Sequence, residues 1–281
     1  MKRLAVLILF SALLSWAASA NAEFENEAYD SILKNYVKDG RVAYSRLKTA
    51  RADLDRYVEF LGKIQESEYQ SWDEPRKIAF WLDAYNAITL KVILDHYPIK
   101  RSGSPAALIF PASSIRQISG AWDKITHPVL GRPMKLNDIE HEILRKHFRE
   151  PRIHMALVCA ARGCPPLRSE AYDGKRLGEQ LDDQARRFLS NPIKFRIDRE
   201  KKEVWLSQIF QWFGEDFLKG YGVPPEGFLQ GSRIERACLA FVSRYLSSEE
   251  SDFLKKGNPM FKENNYRIRY LEYDWSLNED S

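Results

Sequence analysis

The stretch from Asp73 to Tyr97 constrains the fold more strongly than any other part of the chain. Asp73 is a good N-terminal cap, Pro75 suits a first helical turn, and the Tyr97-Pro98 pair ends the segment. Apolar residues occupy nearly every side of this predicted helix, which is typical of a helix buried at the centre of a domain. They are Ile78, Phe80, Trp81, Leu82, Tyr85, Ile88, Leu90, Val92, Ile93 and Leu94. Other elements must therefore pack around this helix.

Two polar residues, Asp83 and Asn86, interrupt that apolar surface. They are three positions apart and so share a face of the helix. A buried polar group needs a hydrogen-bond partner. We interpret them as a hydrogen-bonded pair that braces the core, and a role in a functional site is the alternative.

The first 22 residues predict a cleaved signal peptide. Lys2 and Arg3 precede an apolar run over residues 4–18, and Ala20-Asn21-Ala22 matches a signal-peptidase site. The run is shorter than the about 20 residues that cross a membrane, and no second long apolar segment follows. We therefore expect an exported protein, located in the periplasm and without a transmembrane segment after cleavage. Residues 23–281 would form one domain.

The charge balance argues against nucleic acid as a partner. The chain has 43 Lys and Arg against 39 Asp and Glu, whereas nucleic-acid binding usually needs a concentrated basic face. A chain of this length can also build its core without covalent links. Its three cysteines are therefore not needed as a framework. In an oxidising compartment, however, any two cysteines that lie close together form a disulfide readily.

Helical patterns dominate the chain, and short strand patterns are scattered among them. Residues 125–136 and 193–206 each predict a small hairpin, and the alternation after Tyr266 predicts a last strand that closes the sheet. The predicted fold class is therefore α+β, a single helix-rich domain with a small mixed or antiparallel sheet.

The helix predicted over residues 137–148 sends polar side chains inward. Asn137 to Glu140 form a capping-box pattern at its start. A rotation of about 100° per residue places Glu140 and His147 in the middle of the apolar face and His141 at its flank. Glu140 is therefore a candidate site residue, although the capping box also explains it. His147 fits a core histidine better than a ligand.

Chemistry-bearing residues are densest in residues 152–172, which read RIHMALVCAARGCPPLRSEAY. The apolar run Ile153–Cys159 predicts an interior strand. Strand alternation places His154 and Cys159 on opposite faces, so they can meet only if the chain bends at Cys159. Cys164, Arg162 and Arg168 follow in a loop. Three interpretations of the two cysteines remain open from the residues alone.

In the first interpretation, one cysteine is a nucleophile. A thiolate needs a base or a cation nearby, which His154, His141 or Arg162 supplies. Glu140 or Asn86 would then orient the imidazole. The expected chemistry is acyl transfer or amide hydrolysis.

In the second interpretation, Cys159 and Cys164 form a disulfide, since four intervening residues that include Gly163 are flexible enough to reach bonding geometry. Arg162 and Arg168 would then offer planar forks for a carboxylate or phosphate. In the third, zinc binds to His154, the two cysteines and a helix histidine. The isolated C-x4-C spacing lacks the usual paired ligand pattern of a zinc site, so we expect neither a metal nor a cofactor.

Four motifs in order resemble domain-of-unknown-function family 547, which includes exported bacterial proteins and plant proteins. The motifs are FWLDAYN (80–86), LNDIEHEILR (136–145), the 152–172 segment and IFQWFGEDF (209–217), and the tail YDWSLN (273–278) also fits. The resemblance covers about residues 44–278 and implies no activity. It implies that a set of residues belongs together: Asn86, Glu140, His141, His154, Cys159, Cys164, Pro165 and Arg168. Asp83 is a departure, because the family more often carries asparagine there, and this puts in doubt any role that needs a neutral amide.

Our leading hypothesis is a periplasmic thiol-dependent hydrolase or acyltransferase. Cys159 is the nucleophile, His154 or His141 the base, and Glu140 or Asn86 the group that orients it. The alternative is a non-catalytic module that binds an anionic small molecule or a component of the cell envelope. Its ligand would contact a Cys159–Cys164 disulfide loop, with Arg162 and Arg168 beside it.

Overall fold

The computed structural model of the protein describes residues 26–222, 231–255 and 266–280. The predicted signal peptide, residues 1–22, lies outside the described residues. The helices are α1 (26–36), α2 (Tyr44–Thr49), α3 (Ala52–Leu61), α4 (Glu66–Gln70), α5 (Glu74–His96), α6 (Arg145–His147), α7 (Leu177–Leu189), α8 (Gln208–Trp212), α9 (Gly214–Tyr221), α10 (Arg233–Val242) and α11 (Ser248–Leu254). Short 3-10 helices occur at Pro105–Ile109, Ile115–Gln117 and Pro151–Met155, and a π-helix at Asp138–Leu144.

The strands form three small sheets. They are β1 (Val37–Lys38), β2 (Arg41–Val42), β3 (His127–Val129), β4 (Arg132–Met134), β5 (Phe195–Asp198), β6 (Glu203–Leu206) and β7 (Arg267–Tyr270). Antiparallel pairs join β1 to β2 and β3 to β4, and the third sheet has the order β5-β6-β7. In it, Leu206 of β6 lies opposite Phe195 in antiparallel register and opposite Tyr270 in parallel register. Both predicted hairpins, the closing strand and the α+β fold class are thus confirmed.

Helix α5 is the centre of the larger hydrophobic core, as its sequence predicts. The side chain of Asp73 accepts a hydrogen bond from the backbone N–H of Arg76 at 3.0 Å and so caps the helix. Helix α3 packs beside α5. Asp83 and Asn86 do brace the core, but each reaches a different backbone segment, and no described hydrogen bond joins them. Asp83 accepts from the N–H of Tyr172 at 3.0 Å.

A second hydrophobic core lies beyond the first, and the cysteine segment runs between the two. Phe188, Phe210, Phe217 and Phe241 are fully buried in the second core. Met155 belongs to this core, whereas the residues that follow it, Ala156 to Val158, belong to the first. Tyr273 of the C-terminal tail packs against both clusters. The segment that leads to Cys159 therefore sits at the junction of the cores.

The predicted strand Ile153–Cys159 is wrong. Residues 151–155 form a 3-10 helix, and residues 157–159 have no regular secondary structure and no strand partner among the described residues. The run is apolar because it is buried, but side chains rather than a neighbouring strand satisfy its backbone. Asn86 donates to the carbonyl of Ala156 at 3.1 Å and accepts from the N–H of Val158 at 3.0 Å.

The predicted helix over residues 137–148 exists, but its geometry differs. Asn137 makes no side-chain cap hydrogen bond, so the capping box does not form. A π-helix bonds each residue to the fifth one along and therefore has more residues per turn than the 3.6 that we assumed. Glu140 is buried as predicted, whereas His147 is exposed. The prediction that His147 points inward is wrong because the wider turn rotates the residues that follow it.

Candidate functional site

The two cysteines that close the 159–164 loop lie within bonding reach of each other. Their sulfur atoms are at a distance compatible with a disulfide, and their Cα atoms are 6.2 Å apart. The N–H of Cys159 also points at the sulfur of Cys164, 3.0 Å away. Cys159 is partly exposed, while Cys164 is 2% exposed. Of the two sulfur atoms, that of Cys159 is therefore the more accessible from outside.

The C-terminal tail holds this loop in place. The Tyr273 hydroxyl donates to the sulfur of Cys164 at 3.1 Å and lies 3.3 Å from that of Cys159. The backbone N–H of Gly163 donates to the carbonyl of Asp274 at 2.8 Å. A Cβ at position 163 would lie 2.9 Å from the ring of Tyr273. Glycine is needed there because the tyrosine ring passes so close.

Both cysteines line a cavity of about 270 Å³. Six of the residues singled out from the sequence meet there: Glu140, His141, His154, Cys159, Cys164 and Pro165. Much of the remaining wall is aromatic: Tyr85, Trp122, Trp212, Phe213, Tyr273 and Trp275. His154 and Cys159 thus share one cavity because the segment between them is not a strand. A small-molecule site is typically a concave, mostly apolar pocket with a few convergent polar groups, and this cavity fits that description.

His154 is paired with a carboxylate that comes from α9. Its Nε2 lies 2.9 Å from Oδ2 of Asp216, and its ring stacks on Phe213 with 4.2 Å between centroids. The guanidinium of Arg145 donates to the same carboxylate oxygen. Burial alone would raise the pKa of Asp216, but the hydrogen bonds from His154 and Arg145 outweigh it and hold that pKa well below its ordinary value. Asp216 is therefore an ionised acceptor that fixes the His154 ring.

His141 is oriented differently. Its Nδ1 lies 2.9 Å from a guanidinium nitrogen of Arg145. Arginine can only donate, so this ring nitrogen must be the acceptor. The neutral His141 ring then carries its proton on Nε2, which makes it a hydrogen-bond donor on that side. Of the two histidines named as base, His154 has a ring nitrogen, Nδ1, that makes no hydrogen bond with the part of the chain that the structure describes.

Glu140 lies deep in the wall of the cavity, at 8% exposed. Burial raises the pKa of Tyr85 well above its ordinary value, and the neighbouring Glu140 carboxylate raises it further. Burial and then Glu140 also raise the pKa of Tyr273. Both phenols therefore stay protonated near neutral pH, and the Tyr273 hydroxyl remains able to donate to the cysteine sulfur atoms.

Three of the predicted site residues lie away from the cavity wall. Asn86 holds the backbone of the segment before Cys159 rather than a histidine ring. Arg168 pairs with Glu170 at 2.6 Å and also donates to Asp183, so its fork is occupied by carboxylates of the chain itself. Arg162 is exposed and anchors the tail through its backbone N–H, which donates to the carbonyl of Ser276.

Metal binding finds no support in the arrangement of donors. Within residues 26–222, 231–255 and 266–280, no group of three or more His, Cys, Asp or Glu is placed to hold a metal ion. The zinc interpretation therefore has no ligand set in this part of the chain.

Sequence reasoning missed four side chains of the site: Asp216, Arg145, Tyr273 and Arg116. Asp216 lies in the motif IFQWFGEDF and Tyr273 in the tail motif YDWSLN, and neither residue has a sequence pattern of its own that predicts a role. Both motifs are distant in sequence from the cysteines. The resemblance of these motifs to those of the family was the signal for them, since spacing alone cannot tell which distant segment closes on a cavity.

No helix in the described part of the chain is long and apolar enough to cross a membrane.

Comparison with known proteins found a single kind of match. No curated protein and no solved structure matches the chain. Residues 69–189 match the model of a family described as protein of unknown function, DUF547. The matched segment includes α5, the π-helix and both cysteines of the cavity, whereas the motif of α9 and the tail lie beyond it. The segment over residues 69–189, less than half of the chain, is therefore similar to the proteins of unknown function DUF547.

Proposed function

We propose that the protein is a thiol-dependent hydrolase or acyltransferase that acts in its reduced form, with Cys159 as the nucleophile. One observation carries this proposal. The imidazole of His154, oriented by the buried carboxylate of Asp216, lines the same cavity as Cys159. A nucleophile, a base and a group that orients the base are the components of a covalent acyl-transfer site.

Accessibility favours Cys159 over Cys164 as the nucleophile. A nucleophilic sulfur must reach the substrate, and Cys164 is almost fully buried. The sulfur of Cys164 is also engaged by two donors, the N–H of Cys159 and the Tyr273 hydroxyl. We assign Cys164 to the wall of the site, as the residue that closes the disulfide when the protein is oxidised.

The proposed reaction runs through a thioester. His154 takes the proton of the Cys159 thiol at Nδ1, and the sulfur bonds to the acyl carbon of the substrate. The leaving amine or alcohol departs with the proton from His154. Water, or an acceptor amine or alcohol, then attacks the thioester with His154 again taking its proton. The thiol is restored, and the acid or the transferred acyl product leaves.

Two donors suit the oxygen that becomes negative during this reaction. The neutral His141 ring offers its Nε2–H. The Tyr273 hydroxyl, 3.3 Å from the Cys159 sulfur, is the second donor once its proton turns from Cys164 to the oxyanion. Donors arranged in advance around a developing oxyanion lower the barrier of acyl transfer. Asn86 has no part in orienting the base and is assigned to positioning the backbone that carries Cys159.

The test is ester hydrolysis by the reduced protein, with p-nitrophenyl acetate as the substrate. We expect Cys159→Ser to abolish turnover and His154→Ala to reduce it by about 10²–10⁴-fold. Asp216→Asn should also reduce turnover, because the amide no longer holds the required tautomer of the ring. Cys238→Ser is the matched control, since burial raises the pKa of this core thiol to about 12 and keeps it inert. Full activity of Cys159→Ser would refute the proposal.

The alternative function is a non-catalytic binding module of the cell envelope, and the distance between the two cysteines favours it. If the disulfide is permanent, there is no free thiol at the cavity, and the loop is a rigid wall for an anionic ligand. Alkylation and mass spectrometry with and without reductant decide between the two. A quantitative Cys159–Cys164 crosslink in protein from the envelope, with p-nitrophenyl acetate turnover absent even after reduction, would favour the module.

Export to the periplasm is part of both proposals and is supported by the pattern of residues 1–22. N-terminal sequencing of the protein from cell fractions tests it. We expect a mature chain that begins at Glu23 in the periplasmic fraction. An intact N-terminus in the cytoplasmic fraction would count against export.

A further inference from the structure

An arginine that sequence reasoning missed stands at the cavity that holds the two cysteines. Arg116 lies in the 3-10 turn Ile115–Gln117 and lines the cavity. Its guanidinium carbon sits over three aromatic rings, at 4.6 Å from the centroid of Phe110, 5.2 Å from Trp275 and 5.7 Å from Trp122. Each of these contacts attracts the cation to the face of a ring. The side chain is therefore exposed but confined to one region of the cavity mouth.

The backbone below Arg116 is also fixed. The neighbouring side chain, Gln117, is 5% exposed, and its amide nitrogen donates to the carbonyls of Ala107 at 2.8 Å and Pro111 at 3.1 Å. Its amide oxygen accepts from the N–H of Ser102 at 2.9 Å. These bonds tie the loop over residues 102–111 to the turn that carries Arg116. A binding group held in advance loses little entropy when a ligand arrives.

The guanidinium of Arg116 has no acceptor from the described chain. Arg145, Arg152 and Arg168 each pair with carboxylates of the protein. For Arg116, by contrast, no ion pair or side-chain hydrogen bond occurs among the residues that the structure describes. Its contacts are ring faces, which leave the five N–H donors of the guanidinium without a partner. An arginine so placed is suited to an external anion.

The charges of the cavity narrow the class of anion. Glu140 is the other charged side chain of the wall that makes no ion pair among the described residues. It is hydrogen-bonded to Tyr85 and buried, so a highly charged anion would be repelled from the interior. A carboxylate is a planar monoanion, and its two oxygens match the guanidinium fork. The rings around Arg116 and the adjoining Trp212 provide an apolar surface next to that fork. We propose that Arg116 forms a carboxylate-binding subsite at the cavity mouth, and that the ligand carries a carboxylate next to an apolar or aromatic group.

Binding of such a ligand stands independently of any reaction. The identification of this ligand as the substrate of Cys159 rests on the function proposed above. In that case the substrate would be an acyl compound with a free carboxylate near the reacting carbonyl. The cavity of about 270 Å³ limits the bound part to a small molecule or the end of a chain.

The experiment compares hippurate with hippuramide, which differ only in that a carboxylate is replaced by a neutral amide. Binding to the purified protein is followed by tryptophan fluorescence and checked by calorimetry, in the wild type and in Cys159→Ser. We expect hippurate to bind about 10-fold more tightly than hippuramide, the contribution of a charge-assisted hydrogen bond at a partly exposed site. Arg116→Gln should abolish this preference, and Arg116→Lys should keep only part of it because lysine lacks the fork.

Arg101→Gln is the matched control, since Arg101 is an exposed arginine of the same loop region and does not line the cavity. It should leave the preference unchanged. Circular dichroism confirms that each variant is folded, and the comparison of the two probes in the wild type does not depend on any variant. The proposal is overturned if neither probe binds, if both bind equally to the wild type, or if Arg116→Gln retains the preference. If the reduced wild type lacks esterase activity but still binds hippurate more tightly than hippuramide, only the proposed reaction is refuted.

Discussion

Replacing Asn86 by alanine tests whether one side chain holds the segment that leads to Cys159. Asn86 is 2% exposed and makes two hydrogen bonds to that segment, one to the carbonyl of Ala156 and one from the N–H of Val158. Ala156 and Val158 are 1% and 3% exposed. Since no strand pairs with residues 157–159, the alanine variant leaves one donor and one acceptor buried without a partner.

The expected cost follows from those two groups. A buried polar group that loses its partner destabilises the folded state by about 1–3 kcal/mol, so the pair should lower the free energy of unfolding by about 2–6 kcal/mol. Asn86→Asp should be at least as damaging at neutral pH. Its carboxylate can still accept from Val158, but it places a negative oxygen against the carbonyl of Ala156.

Urea unfolding followed by far-UV circular dichroism measures this cost. Asn191→Ala is the matched control, because Asn191 accepts a hydrogen bond from the N–H of Ile193 in an exposed turn, at 3.1 Å. We expect the control to lose less than about 1 kcal/mol, as is usual for exposed positions. If the two alanine variants lose the same stability, Asn86 does not brace the cysteine segment and our account of the missing strand is incorrect.

Three further outcomes are expected from urea unfolding. Burial raises the pKa of Asp83 well above its usual 3.8. Above about pH 4 only the unfolded chain loses this proton, so the free energy of unfolding of the wild type should fall as the pH rises. Asp83→Asn should remove that decline. Burial lowers the pKa of Lys194 from 10.5 to about 8. Between pH 8 and 10.5 the unfolded chain holds more protons than the folded one, so the free energy of unfolding should rise with pH. Lys194→Met should flatten that rise. Reduction of a Cys159–Cys164 disulfide should lower the free energy of unfolding by about 2 kcal/mol, because the loop it closes is short, and an unchanged urea midpoint would argue that the thiols were free.

Local patterns were sufficient for the elements that are stabilised by their own residues. The cap at Asp73, the first-turn Pro75 and the apolar surface between them and Tyr97 specify α5 without reference to any other segment. The hairpin β3–β4 was likewise predictable, because its strands are adjacent in sequence and pair antiparallel across a short turn. Such elements depend on interactions over a few residues, which periodicity and turn chemistry record.

The segment before Cys159 was mispredicted because its partners are remote. An apolar run of this length is consistent with a buried strand, but the hydrogen-bond partners of its backbone decide the conformation. Those partners are the side chains of Asn86 and Gln184, which donates to the carbonyl of Met155. Neither side chain has a local sequence signal for this role. Once such side chains take the place of a neighbouring strand, the period-2 rule no longer governs which residues share a face.

The composition of the site was therefore only half predictable. Helix phase correctly predicted that Glu140 is buried, whereas strand alternation wrongly separated His154 from Cys159, since both line one cavity. The π-turn, however, has no signature in the pattern of apolar residues, so the same phase placed His147 wrongly. The phase error grows along the π-helix, so Glu140 near its start keeps its predicted side, whereas His147 beyond its end does not.

The tail shows why the chemistry of the cysteines is not a property of the cysteine segment. Tyr273 is more than a hundred positions from either cysteine, yet its hydroxyl contacts both sulfur atoms. Asp216 similarly comes from α9 to orient His154. The loop over residues 159–164 contributes the thiols and the N–H of Cys159, while the side chains that contact the sulfur atoms or orient His154 come from elsewhere. The surroundings of Cys159 therefore depend on the docking of the tail and of α9, and a fragment limited to residues 69–189 would contain the cysteines without Tyr273 and Asp216.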